Sequence, residues 1–316
     1  MRNIFILSVI ILLLTTYNSY SISLFEDYNG FDVSNSLIPK EKIFSGGPPK
    51  DGIPAILNPK FESASSASWL KSSDLVSGVE MEGVFKAYPL RILVWHEAVN
   101  DKVGSKPIMV SFCPLCGSTL VFDRNIDGQE LTFGISGLLY QSDVLFYDHQ
   151  NQSLWSQLEM EAISGPKAGT EMGVLPSVLA TWGEWKKKHP NTLVLSRDTG
   201  FNRDYSNMPY GGYEKSTSLY FPVDNQDKRY HPKEKVLVVI SSDGVAKAYA
   251  FKELGKVSTP LKDQVGSDKI TIKYNDGKFV SAYDNNGSPI KSFVTYWFAW
   301  YTFRPDTLVY SVSESG

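Results

Sequence analysis

Short runs of β-branched and aromatic residues bounded by turn formers recur from residue 76 onwards, at 76–79, 84–88, 108–112, 120–122, 236–240 and 270–274. Runs of this length and composition predict strands. Helical patterning is scarcer; the spacing predicts helices over 176–188 and 292–303, and a shorter one over 89–95. Residues 23–73 are rich in Pro, Gly, Ser and Asn, which predicts an irregular arm rather than regular elements.

The pattern repeats. Gly83-Val84-Phe85-Lys86-Ala87-Tyr88 returns as Gly244-Val245-Ala246-Lys247-Ala248-Tyr249, and Asp101-Lys102-Val103-Gly104-Ser105 as Asp263-Gln264-Val265-Gly266-Ser267. Phe122-Asp123 matches Tyr283-Asp284. Trp182, Trp185, Pro190 and Thr192-Leu193-Val194 match Trp297, Trp300, Pro305 and Thr307-Leu308-Val309. The offset drops from 161 residues to 115 along the way, so the first copy carries an insertion of 46 residues, roughly 131–175. These matches predict an α+β, β-rich fold of two tandem related copies, each reading strand, strand, short helix, hairpin, helix, strand. The expected divisions are an export signal over 1–21, the arm over 22–75 and the first copy over 76–200. A connecting loop over 201–235 and a degenerate second copy over 236–316 complete them.

Composition narrows the function. The 316 residues are 42% hydrophobic and 21% charged, with 34 acidic against 31 basic side chains, so no nucleic-acid footprint is expected. Arg2, the apolar run 4–14 and small residues at Ser19 and Ser21 have the layout of a secretory signal with cleavage near Ser21. This predicts a periplasmic or secreted protein, touching a membrane only through an uncleaved signal anchor. Two cysteines and four histidines are too few for a disulfide scaffold, a four-thiolate zinc site or an iron–sulfur cluster.

Both cysteines stand in one turn, Cys113-Pro114-Leu115-Cys116-Gly117. The second copy has Asn275-Asp276-Gly277-Lys278 in that place, and Val257 opposite His96. Residues shared by the copies hold the fold, whereas those special to one are candidates for function. Cys-Pro-x-Cys-Gly between two strands is similar to a rubredoxin-type or zinc-ribbon knuckle, whose turn points both sulfurs one way. Three readings follow. Cys113, Cys116 and His96 form a three-ligand site for zinc or copper with an open position. Alternatively the pair is a redox dithiol of a thiol–disulfide oxidoreductase, with Cys113 as nucleophile, or a disulfide stapling a ligand-binding module. Glu97 is either a carboxylate acting beside the metal, as a general base, or a solvated turn residue. Asp143 stands with it as a candidate catalytic group. His149 in the insertion could reach the site, whereas His189 reads as a helix-end charge and His231 as loop.

The insertion is dense in polar and aromatic side chains and reads as a pocket wall, with Tyr140, Asp148 and Trp155 as candidate ligand contacts. In the connecting loop, Arg203 and Tyr205, followed by Tyr210 and Tyr213, suit an anionic or carbohydrate-like ligand or an ordered loop held by ion pairing. The expected partner is a small molecule or a metal donor or acceptor.

Ala87-Tyr88-Pro89, Trp95-His96-Glu97, Val99-Asn100-Asp101, the cysteine turn, Ser136-Gly137-Leu138-Leu139-Tyr140, Ser142-Asp143, Ser153-Leu154-Trp155-Ser156-Gln157, Gly165-Pro166 and Arg203-Asp204-Tyr205 stand in order along the chain. This series resembles the bacterial domain-of-unknown-function family 3179. The resemblance implies export and a single fold across the family. It implies neither a metal nor a substrate.

Overall fold

The computed structural model describes residues 28–312, so the expected signal segment lies outside the described residues. The chain is β-rich α+β, built on two large sheets that follow the same plan. In the first sheet the order is Leu308–Val309, Ala246–Ala250, Lys235–Ile240, Ser292–Tyr296, then Ser118–Asp123, Lys106–Cys113 and Ala98–Val103. In the second it is Phe61–Ser63, Leu193–Leu195, Val84–Pro89, Leu75–Met81, Val178–Thr181, then Phe279–Tyr283, Asp268–Tyr274 and Leu261–Val265. Both sheets mix the two halves of the chain: the first takes four strands from the second half and four from the first, counting Val174–Leu175 beside Ser118–Asp123, and the second takes five from the first half and three from the second. Towards one end of each sheet stands a parallel pair, Val84–Pro89 with Leu193–Leu195 or Ala246–Ala250 with Leu308–Val309, and in the second sheet Phe61–Ser63 adds an antiparallel edge beyond it.

Alternation along the strands explains the layering. Val110, Val121, Leu237 and Val239 of the first sheet join Val79, Leu179, Ile272 and Val280 of the second in one buried cluster between the sheets. Their neighbours Met109, Leu120, Phe122, Val236 and Val238 point the other way, into a second cluster. Both faces are buried, so these strands read as unbroken apolar runs instead of a polar–apolar alternation.

The expected helices over 176–188 and 292–303 are each half strand. Val178–Thr181 and Ser292–Tyr296 are strands, and helices begin only at Trp182 and Trp297, ending at Lys188 and Phe303. A buried apolar run has no period that separates strand from helix, so the switch is invisible in the pattern. The helix Leu90–His96 falls where the spacing puts it. Trp185 and Trp300 anchor their helices alike, donating from Nε1 to Thr192 Oγ1 at 3.0 Å and to Thr307 Oγ1 at 2.9 Å. Lys86 and Tyr88 converge on Asp101 as Lys247 and Tyr249 do on Asp263, all at 2.6–2.8 Å.

Residues 131–175 form more than a wall. Phe133–Tyr140, Asp143–Asp148, Leu154–Ser156 and Glu161–Ser164, with Ile43–Ser45 of the arm on the edge, make a sheet of their own. Phe133, Phe146 and Trp155 pack it on the outer face of the first large sheet, and Phe31 and Ile43 of the arm cover its far side. Asn100 fastens this third layer, since its side chain donates to Phe133 O and accepts from Phe133 N, both at 2.8 Å and buried. Asn100→Leu leaves both backbone groups unpaired, and should lower unfolding stability by about 2–4 kcal/mol in a denaturant titration. A loss under about 0.5 kcal/mol would show that the layer is held otherwise.

Candidate metal centre

The two cysteines cap the hairpin of Lys106–Cys113 and Ser118–Asp123. The turn between them needs Gly117, which has φ of 57°, and a Cβ there would sit 2.7 Å from the Tyr296 ring. Cys116 O accepts from Tyr296 N at 2.8 Å and from Thr295 Oγ1 at 3.1 Å, so the second half of the chain grips the knuckle. The backbone N–H of Cys116 is directed at the Cys113 sulfur. Both thiols are free and buried.

Facing them is the hairpin of Phe133–Tyr140 and Asp143–Asp148. Its two turn residues, Gln141 and Ser142, both have positive φ, 52° and 67°. A tight two-residue hairpin wants Asn-Gly there, and side chains such as these cost about 1–3 kcal/mol each. Gln141 is held in place by Asp224 and by Thr302, whose hydroxyl donates to it at 3.0 Å. The strained turn presents Ser142 O, which accepts from Cys116 Sγ at 3.3 Å, and next to it Asp143.

One ligand atom each from Cys113, Cys116 and Asp143 lie within 4.8 Å of one another, so this group could hold a metal ion. Asp143 Oδ2 accepts from Leu158 N at 2.9 Å, whereas Asp143 Oδ1 is buried without a hydrogen-bond partner. Burial pushes both thiols up, Cys116 furthest, and lifts the Asp143 carboxyl to about 7 against the pull of the Leu158 N–H. No ion pair among the described residues compensates these groups. Two thiols and a carboxyl with an orphaned oxygen could serve a cation as donors, and its binding would displace their protons.

His96 is not the third member. It ends the helix Leu90–His96, and both ring nitrogens are taken, Nδ1 by Pro54 O at 2.7 Å and Nε2 by the Tyr205 hydroxyl at 2.6 Å. The helix terminates between His96 and Glu97, so the two neighbours point apart. Glu97 is the left-handed cap, φ 58°, and its side chain turns towards the cysteines while that of His96 turns towards the connecting loop. Glu97 is buried, and its carboxyl rises to about 8, first through burial and then through the charge of Asp143. It makes no side-chain hydrogen bond to the described residues.

A narrow cavity of about 60 Å³ reaches Cys113 and Glu97 between walls that include Ile53, Leu115, Ile135, Leu139, Val144 and Phe221, with Tyr210 beside them. Tyr213 stands near both sulfurs with its hydroxyl buried and unpaired. These loop residues carry no local motif, and only the clustering of tyrosines hinted at them. The other candidate contacts lie elsewhere. Asp148 is fully buried and accepts from Asn151, Ser153 and Trp155, so it and Trp155 hold a turn. Tyr140 packs on Phe303, Arg203 is exposed beside Trp95, and Tyr205 is spent on His96 and Thr199. His149 packs on the Tyr147 ring. No helix among the described residues is long and apolar enough to cross a membrane.

The family model described as Protein of unknown function (DUF3179) matches residues 50–287, and the chain belongs to that family. No curated protein and no solved structure matches.

The raised Glu97 carboxyl has a consequence for the metal-free protein. Around pH 4 folded and unfolded chains both hold this proton. As pH rises towards 8 the unfolded chain releases it while the folded chain keeps it, so stability falls, levelling off above about pH 8. Thermal unfolding of metal-free protein should show Tm dropping between pH 5 and 8, and Glu97→Gln should reduce that slope, leaving the share that the raised Asp143 carboxyl contributes. A slope unchanged in the variant would place the titration on another group.

Proposed function

We propose that Cys113, Cys116 and Asp143 hold one zinc ion in an exported protein, with Glu97 as the proton-transferring carboxyl beside the ion. The observation that carries this reading is the orphaned Asp143 Oδ1 in a fully buried group with two free thiols. Copper(I) prefers all-soft ligands, and a carboxylate beside two thiolates suits zinc better. Three protein ligands leave a fourth position open, as in catalytic zinc sites, where the ion would act as a Lewis acid on a bound oxygen. The protein is then an enzyme or a metal carrier, and its partner a small molecule or a metal donor or acceptor. The dithiol alternative is weakened because both thiols are buried with raised pKa and sit between strands, not at the helix N-terminus that activates redox cysteines.

We further propose that the two halves are duplicated copies, of which only the first acquired chemistry. The shared sheet plan supports this, as do the paired Lys–Tyr–Asp and Trp–Thr bonds. The matched turn Asn275–Lys278 carries no thiol. Export rests on the layout of residues 1–21 alone; intact mass of the mature protein should place its first residue at Ile22, and a mass that includes Met1 would oppose cleavage.

Metal analysis of the purified protein tests the centre. About one zinc per chain is expected, lost in Cys113→Ser and reduced at least tenfold in affinity in Asp143→Asn, but retained in His96→Ala. A metal-free protein with a stable Cys113–Cys116 disulfide would sink the reading.

A further inference from the structure

The cavity beside Cys113 has a lining of unusual chemical uniformity. Apart from Glu97, Cys113 and the Tyr210 hydroxyl, the side chains that line it are aliphatic or aromatic, with glycines and a proline between them. No lysine, arginine or histidine lines it. An anion entering here would shed its water with no counter-charge to receive it, which costs several kcal/mol. A neutral molecule would lose only apolar hydration. The volume, about 60 Å³, holds roughly four or five non-hydrogen atoms if one water needs about 10–15 Å³ of such space.

Glu97 gives the second observation. It is 6% exposed, borders the cavity, and its carboxyl has no hydrogen-bond partner among the described residues. A buried carboxyl ordinarily satisfies its oxygens within the fold. Its position at the helix cap in a left-handed backbone conformation, which a non-glycine residue seldom adopts, holds it there at a cost. Two segments distant in sequence contribute to its lining. Ile53 comes from the arm and Phe221 from the connecting loop, and Lys42 of the arm pairs with Asp224 of that loop at 2.6 Å.

We propose that this cavity binds an uncharged molecule of no more than about five non-hydrogen atoms, polar at one end, which hydrogen-bonds to Glu97 beside Cys113. The inference rests on the Cys113–Cys116–Asp143 group being the reacting centre. It assigns the substrate class of that centre and excludes carboxylates, phosphates and sugars.

Two reagents of equal size and opposite character test this on reduced, metal-free, full-length protein. Iodoacetamide is neutral and iodoacetate anionic; each alkylates a thiol, displacing iodide. Rates at Cys113, read by mass spectrometry and divided by those of the unfolded chain, should favour iodoacetamide at least about tenfold. Ile53→Phe, on the arm, should slow iodoacetamide at least about fivefold by narrowing the passage. Normalised rates within about twofold of each other, or faster iodoacetate, would overturn the proposal, as would an Ile53→Phe variant that reacts like the parent. Zinc binding, measured separately, keeps the two readings apart. Zinc bound without charge selection refutes the cavity proposal and leaves the metal centre standing; charge selection without zinc does the reverse.

Discussion

Four acidic groups buried together, with no positive partner among the described residues, are the constraint around which this molecule is arranged. Cys113, Cys116, Asp143 and Glu97 lie in the layer between the first large sheet and the sheet of the insertion. An ionised group there has lost its water without gaining a counter-charge, so metal-free protein must keep protons on most of them. The raised carboxyls and thiols express that cost. Buried cations are present in the fold, but all are spent elsewhere: Lys86 on Asp101, Arg124 on Glu130 and backbone carbonyls, Lys233 on Ser216 and Ser218. A divalent cation held by Cys113, Cys116 and Asp143, as proposed, would supply the missing positive charge.

The surrounding structure delivers these groups to one point from three directions. One hairpin carries the knuckle, and the second half of the chain clamps it through Thr295 and Tyr296. A second hairpin, strained at Gln141 and Ser142, carries Asp143. A helix that stops one residue before Glu97 turns that side chain inward. The strain is tolerable because Asn100, Gln157 and the aromatic contacts of Phe133 and Trp155 tie the insertion to the large sheet. Gln157 donates to Ser111 at 2.8 Å and accepts from Ser118, bracketing the cysteine hairpin from the insertion side. Positioning by packed sheets gives a more rigid site than positioning by loops.

Much of this was legible in the sequence, and the failures have physical causes. The knuckle was readable because its chemistry is local, four residues between two apolar runs. The strands flanking it were readable for the same reason. Asp143 is singled out by the sequence as a candidate catalytic group and not as a candidate ligand; nothing local distinguishes a carboxylate that could ligate from one that stands near. His96 was placed with the cysteines because its rarity and its absence from the second half favoured it, yet its nitrogens satisfy Pro54 and Tyr205. The two long helices were overextended because runs buried on both sides lose their period. Tyr210, Tyr213 and Phe221 could not be placed, since only the folded connecting loop brings them over the site.

The central claim is a ligand set, and X-ray absorption at the zinc edge reads ligands directly. The account predicts two sulfur scatterers at about 2.3 Å and oxygen scatterers at about 2.0 Å, without the outer-shell signature of an imidazole. A spectrum with histidine scattering, or with one sulfur or none, would contradict it.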